Sequence, residues 1–218
     1  MQTNDKTWNE YYAERNLSAA NILLHYHYLI KIIFYNPEKL LEIGCGPAQH
    51  ALWLKKILPK LKVSVLDSDK KLLERIKKNT SDKIENFFNI NILDRNEIER
   101  LPKFDFIISQ GLMEHFNDFE FIQIIKNFSS LSKKMIFSVP SDVYKNQDFG
   151  NEILRSKEDI EKLLKNSGYT FKVSNYLFDI GVRTKINLIK QNKYSFFKSL
   201  ILLLFKSCHI IVEIDYQI

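Results

Sequence analysis

The residues with the clearest chemical potential lie at 39–50, KLLEIGCGPAQH. An apolar run carries into Glu42, glycines follow at positions 44 and 46, and a helix-forming stretch begins at once. Glycine permits positive φ and lets a ligand approach the backbone, while the first amides of a helix can face an anionic group. The segment therefore predicts a nucleotide or nucleoside site. A dinucleotide fingerprint would place a third glycine where Gln49 stands, which disfavours a nicotinamide cofactor. Cys45 has no basic neighbour in sequence to lower its thiol pKa, so it reads as a small residue in a tight turn. His25 and His27, two apart on a predicted helix, point to different sides and read as surface or packed residues rather than joint metal ligands. No metal is expected.

Short apolar runs alternate with amphipathic stretches, the pattern of a parallel sheet built from βα units. The predicted strands are 39–43, 63–66, 87–92, 104–109 and 135–139; the predicted helices between and after them are 48–57, 70–78, 119–131 and 158–166, the last stopped by Gly168. Residues 18–35 predict a helix ending before Asn36 and Pro37 and covering the sheet edge. A sixth strand is expected at 169–178. The seventh falls at 184–190 or 208–215, and the β-branched run of the latter favours it as the closing strand. Residues 180–207 then form a helical insertion whose apolar stretch, bounded by Lys198 and Lys206, is far shorter than the ~20 residues of a membrane span.

The 218-residue chain is 45% hydrophobic and 27% charged with 6 Gly and 5 Pro, which excludes a disordered or low-complexity chain and allows one domain with a sizeable core. Two cysteines form no disulfide framework or zinc motif, so a reducing, cytoplasmic compartment is expected. The polar, aromatic N-terminus does not read as a secretory signal. The formal charge is +6, but the positive residues are 26 Lys and only 6 Arg. Arg supplies the bidentate grip on phosphates and bases, so this balance argues against nucleic acid. Residues 171–218 hold seven Lys or Arg against three Asp or Glu, so an anionic partner would meet that quarter.

Glu42-Ile43-Gly44-Cys45-Gly46-Pro47 resembles the first motif of the class I S-adenosylmethionine-dependent methyltransferases. Val63-Ser64-Val65-Leu66-Asp67 is similar to the family's second strand with its terminal acid, and Asn91-Ile92-Leu93-Asp94 to the next motif. Residues 104–116, FDFIISQGLMEHF, resemble the fourth strand and following loop of the small-molecule branch. The resemblance covers about residues 37–170 and lacks the Asn/Asp-Pro-Pro-aromatic motif of amino methylation. It implies a Rossmann-like α/β fold, a seven-stranded mainly parallel sheet with helices on both faces and an antiparallel last strand. S-adenosylmethionine is the implied cofactor.

The resemblance also implies roles. Asp67 would accept from the ribose hydroxyls, with a helix N-cap as the alternative and Ser68 and Asp69 as competitors for that position. Glu42 would face the methionine ammonium, the alternative being a solvated strand end. Asp94 would meet the adenine amino group with Leu93 against the ring; alternatively Asp94 caps the helix from Arg95. Ser68, Gln110 and Gly111 would line the cofactor cleft, and the aromatic segment Trp8, Tyr11, Tyr12 would fold over it, with Tyr11 the expected contact, or else pin the terminus to the core. His115 would accept the acceptor's proton, or it holds its loop. The expected activity is methyl transfer to an O or N atom of a small-molecule acceptor. An RNA or membrane-associated substrate, contact with an anionic surface through 180–207, or a noncatalytic partner subunit are the alternatives.

Overall fold

The computed structural model describes residues 25–144, 151–176 and 207–216, together with Glu10, Tyr12 and Ile22. The strands are β1 (Lys39–Ile43), β2 (Lys62–Asp67), β3 (Asn86–Asn89), β4 (Phe104–Gln110), β5 (Ser132–Pro140), β6 (Thr170–Asn175) and β7 (His209–Asp215). Helices α1 (Tyr26–Tyr35), α2 (Gln49–Ile57), α3 (Lys70–Thr80), α4 (Arg95–Ile98), α5 (Asp118–Phe128) and α6 (Lys157–Leu164) connect or cover them. The sheet order is β3-β2-β1-β4-β5-β7-β6. The neighbours from β3 to β5 pair in parallel, and β7 runs antiparallel to both β5 and β6. The order reverses between β1 and β4, and the crevice outside their C-terminal ends is where such sheets bind ligands.

The apolar runs are continuous because both faces of the sheet are covered. Leu41, Ile43, Ile107, Phe137 and Val212 join α5 and α6 through Phe121, Ile124, Ile125, Ile160 and Leu164 on one face. Leu40, Val65, Phe106, Ile108 and Ile211 meet α1, α2 and α3 through Tyr28, Leu29, Leu54, Leu72 and Ile76 on the other. Each such fully buried side chain contributes about 1.5–3 kcal/mol, so the period-two alternation decides the register.

Several boundaries depart from the sequence expectations for local reasons. Strand β3 ends at Asn89 rather than Ile92, because the Asn89 amide donates to the Asp67 and Ser68 carbonyls and the Leu93 amide donates to the Asn91 side chain. Ala48, expected as the first residue of a helix, is left-handed at φ 57° and precedes α2. Helix α5 opens at Asp118 through a capping box between Asn117 and Glu120 and leaves Phe119 78% exposed. Gly168, at φ +82°, follows α6.

Within the predicted 18–35 helix, α1 is the described part, and Asn36 in the left-handed region ends it. It does not cover the sheet edge: Tyr28, Leu29 and Ile32 pack on the face with Leu40, Phe106, Ile136 and Ile211. The insertion expected at 180–207 lies outside the described residues apart from Ser207. Among the described residues no helix is long and apolar enough to cross a membrane.

Partly buried polar contacts fix α1 to β7. Glu213 accepts from Lys31 Nζ at 2.8 Å and from the Tyr35 hydroxyl at 2.9 Å, and Lys134 Nζ donates to Tyr35 at 3.1 Å. Burial alone would raise the Glu213 carboxyl, but the hydrogen bonds from Lys31 and Tyr35 and the charges of Lys31 and Lys134 hold it below the usual glutamate value. A carboxyl lowered by folding contributes stability above its unfolded value and loses it as pH falls through the folded value. Glu213→Gln is therefore expected to lower the unfolding free energy at pH 7 by about 1–3 kcal/mol. Chemical denaturation across pH should show the gap to wild type closing below about 4.5, the ordinary glutamate value.

Candidate cofactor and acceptor site

The turn after β1 is held from two sides by carboxylates. Gly44 and Gly46 have φ of +58° and +48°, and a Cβ on either would collide with Leu112 or Tyr12, respectively, at under 3 Å. Asp67, at the end of β2, accepts from the Gly46 amide through Oδ2 at 3.1 Å and from the Asp69 amide through Oδ1 at 2.9 Å. Asp69 itself caps α3, accepting from Leu72 N at 3.0 Å, so the N-cap alternative for Asp67 belongs to its neighbour. From the other side Glu42, 2% exposed, accepts from Ala51 N of α2 at 3.1 Å and stands 3.5 Å from His50 Nδ1. The first turn of α2 thus already faces a protein carboxylate. It is suited to a ligand end carrying a positive or zwitterionic group more than to a phosphate.

Two adjoining cavities open there. The larger, about 260 Å³, is lined by Gly44, Gly46, Asp67, Ser68, Gly111 and His115, with Tyr12, Leu66, Ile90, Asn91, Ile92, Leu112, Phe116 and Asn151. The smaller, about 50 Å³, is lined by Glu42, Gly44, Gln110, Tyr12, His25, Cys45, Pro47, Gln49 and His50. Tyr12 and Gly44 wall both. A ligand with an apolar flat end and a zwitterionic end fits this division. His50 Nε2 is buried with no hydrogen-bond partner among the described residues, a group that such a polar end could satisfy.

Burial raises the Asp67 carboxyl above the usual aspartate value, against the opposing hydrogen bonds from the Asp69 and Gly46 amides. Burial pushes the Cys45 thiol well up, and the nearby Asp67 and Glu42 charges add to it, which leaves no activated nucleophile there. Burial lowers His115 below its ordinary 6.5, opposed by the Asn151 hydrogen bond and the charge of Glu152. The imidazole is therefore neutral near pH 7.

The sequence expectations divide accordingly. Glu42, Gly44, Gly46, Asp67, Ser68, Gln110, Gly111 and His115 are brought together on the walls of the paired cavities. Asp94 and Leu93 are not: Asp94 caps α4 by accepting from Asn96 N and Glu97 N, and the cavity lining on this segment ends at Ile92. Ile90, Asn91 and Ile92, just before them, line the cavity instead. Tyr11 lies outside the described residues, whereas its neighbour Tyr12 lines both cavities. The motif around Asn91 leads to the strand end whose residues 90–92 line the cavity, and its Asp94 takes the helix-cap alternative. Asn151 carried no sequence signal at all.

His25 is packed, with Nδ1 3.0 Å from the Tyr176 hydroxyl, itself 2.7 Å from Ser138 Oγ. Its ring stands edge-on to His50 at 5.4 Å and to His209 at 5.1 Å. Among the described residues no group of three or more ligating side chains could hold a metal ion.

A sequence model described as a methyltransferase domain matches residues 40–135. No curated protein matches the chain by sequence. Solved structures with the same fold include the methyltransferase domain of bacterial CtHen1-CN, 16% identical, covering 88% of this chain and 99% of that one at a TM-score of 0.62. Magnesium protoporphyrin IX methyltransferase from Synechocystis PCC 6803 with bound SAM is 12% identical, with 95% and 89% coverage and a TM-score of 0.59. The plantazolicin methyltransferase BpumL in complex with SAH is 13% identical, with 96% and 94% coverage and a TM-score of 0.61. The glycine turn braced by Glu42 and Asp67 lies within the stretch that matches the methyltransferase domain, and the chain shares the fold of these methyltransferase structures.

Proposed function

We propose that the protein methylates an oxygen or nitrogen atom of a small-molecule acceptor, with His115 receiving the acceptor's proton. The observation that carries this reading is the placement of a neutral histidine on the wall of the same cavity that holds Asp67 and the glycine turn. S-adenosylmethionine, when bound, supplies an electrophilic methyl group on a sulfonium. The chain's own work is to hold that group and align the nucleophile, which can supply much of the rate. In this reading Asp67 accepts from the ribose hydroxyls, since a carboxylate has about four acceptor sites and keeps capacity beyond its backbone hydrogen bonds. Ile90 and Ile92 flank the adenine, and Glu42 and His50 at the smaller cavity meet the amino-acid end. The lysines of 180–207, outside the described residues, favour an anionic acceptor or surface.

Asp67→Ala is expected to weaken S-adenosylmethionine binding by roughly 10–100-fold through lost charge-assisted hydrogen bonds. It should also destabilise the fold by about 1–3 kcal/mol, because the Gly46 amide loses its buried acceptor. Calorimetric titration and thermal melts measure the two effects separately. Unchanged affinity in a folded variant removes Asp67 from the cofactor site.

Screening labelled S-adenosylmethionine against phenols, carboxylic acids and amines identifies an acceptor. With that acceptor, His115→Gln should lower kcat/KM by roughly 10²-fold while cofactor affinity stays within threefold. The wild-type acidic limb should lie below 6.5, since burial lowers the imidazole and only its neutral form accepts a proton. Wild-type turnover by His115→Gln overturns the proton-acceptor reading.

A further inference from the structure

His115 and Asn151 are distant in sequence, yet His115 Nδ1 stands 2.6 Å from Asn151 Oδ1. A carboxamide oxygen has no hydrogen to give, so the shared proton belongs to Nδ1. A neutral imidazole protonated at Nδ1 keeps its lone pair on Nε2. Both residues line the larger cavity.

We propose that Asn151 is a positioning residue that holds His115 in the Nδ1–H tautomer, making Nε2 the atom that takes the proton from the acceptor; this rests on the reading of His115 as proton acceptor. In that step the acceptor's heteroatom–hydrogen bond breaks and the Nε2–H bond forms. The heteroatom's electron pair forms the new bond to the methyl carbon while the carbon–sulfur pair passes to sulfur.

The surroundings separate this role from simple support of the loop. Residues 113–118 are pinned to 153–155 independently of the His115–Asn151 pair. Ile153 N donates to the Glu114 carbonyl at 2.7 Å, and Arg155 Nη2 donates to the Phe116 carbonyl and to Asp118 Oδ1, each at 2.8 Å. The Arg155 guanidinium also lies 5.2 Å from the Phe121 ring centre. Removing the Asn151 side chain therefore leaves the loop anchored and takes away the orientation of the ring. Among the described residues, the charged groups near the imidazole include Glu152, which acts on it directly, the buried Glu114 next in sequence, and the Asp118–Arg155 pair at the end of the loop. A neutral amide fixes the tautomer without the strong pull on the imidazolium that a carboxylate would exert. The base is thereby kept ready near pH 7.

The test is long-range ¹H–¹⁵N NMR of the full chain labelled in its histidines, with His115→Gln assigning the signal. At about pH 7.5 wild-type His115 should be the Nδ1–H tautomer. Asn151→Ala should shift it toward Nε2–H with cofactor affinity within threefold of wild type. Asn151→Asp should keep the Nδ1–H tautomer and raise the His115 titration midpoint by about one pH unit, through an opposite charge at hydrogen-bond distance. A wild-type Nε2–H tautomer, or one unmoved by Asn151→Ala, overturns the proposal. Should Asn151→Ala not fold, an unchanged midpoint in Asn151→Asp overturns it. The tautomer is read without any acceptor, so normal methyl transfer by His115→Gln would sink the proton-acceptor role of His115 while the ring–amide contact stood measured on its own.

Discussion

The glycine turn after β1 is the constraint on which the site depends, and two buried carboxylates hold it. Gly44 and Gly46 both need positive φ, a conformation that side chains bearing a Cβ rarely adopt. Asp67 ties the turn to the end of β2 through the Gly46 amide, and Glu42 ties the end of β1 to the first turn of α2 through the Ala51 amide. The same carboxylates therefore brace the turn and line the cavities, and burial that raises the Asp67 carboxyl is opposed by the amides that donate to it.

This brace works because the strands beneath it cannot slide. A one-residue slip of β1 would move Leu40 and Leu41 to opposite faces and expose both cores at once. On one face α1 is locked to the far side of the sheet by Glu213, Lys31 and Tyr35. That placement brings His25 against His50 and Tyr176, so the wall of the smaller cavity combines His25, just before α1, with Gln49 and His50 of α2, while Tyr176 after β6 hydrogen-bonds His25.

The acceptor side is organised differently. The loop after β4 buries Met113 in the core and is also held by chain that follows β5, through Ile153, Arg155 and the Asn151 side chain. In the proposed reading the residues on the cofactor side sit at or just past strand ends, and the histidine sits on a loop positioned by a second segment. Strand ends preserve a cofactor site while loops vary the acceptor, which is how one fold serves many substrates.

The strands and the glycine turn were legible in the chain because parallel strands covered on both faces must be apolar runs and because a tight turn demands glycine. Glu42, Gly44, Gly46, Asp67 and Gly111 could be named because the motifs of the resemblance sit at strand ends, and each lies within three residues of one. Where the chain leaves a strand is decided by side-chain hydrogen bonds rather than periodicity. The Asn89 amide on the Asp67 and Ser68 carbonyls ended β3 early, and so placed Asn91 in the cavity while Asp94 capped a helix. The tie of α1 to Glu213, the packing of His25 on Tyr176 and the meeting of His115 with Asn151 join residues from 36 to 182 positions apart. No local pattern encodes such pairs; only the closing of the sheet brings them within reach.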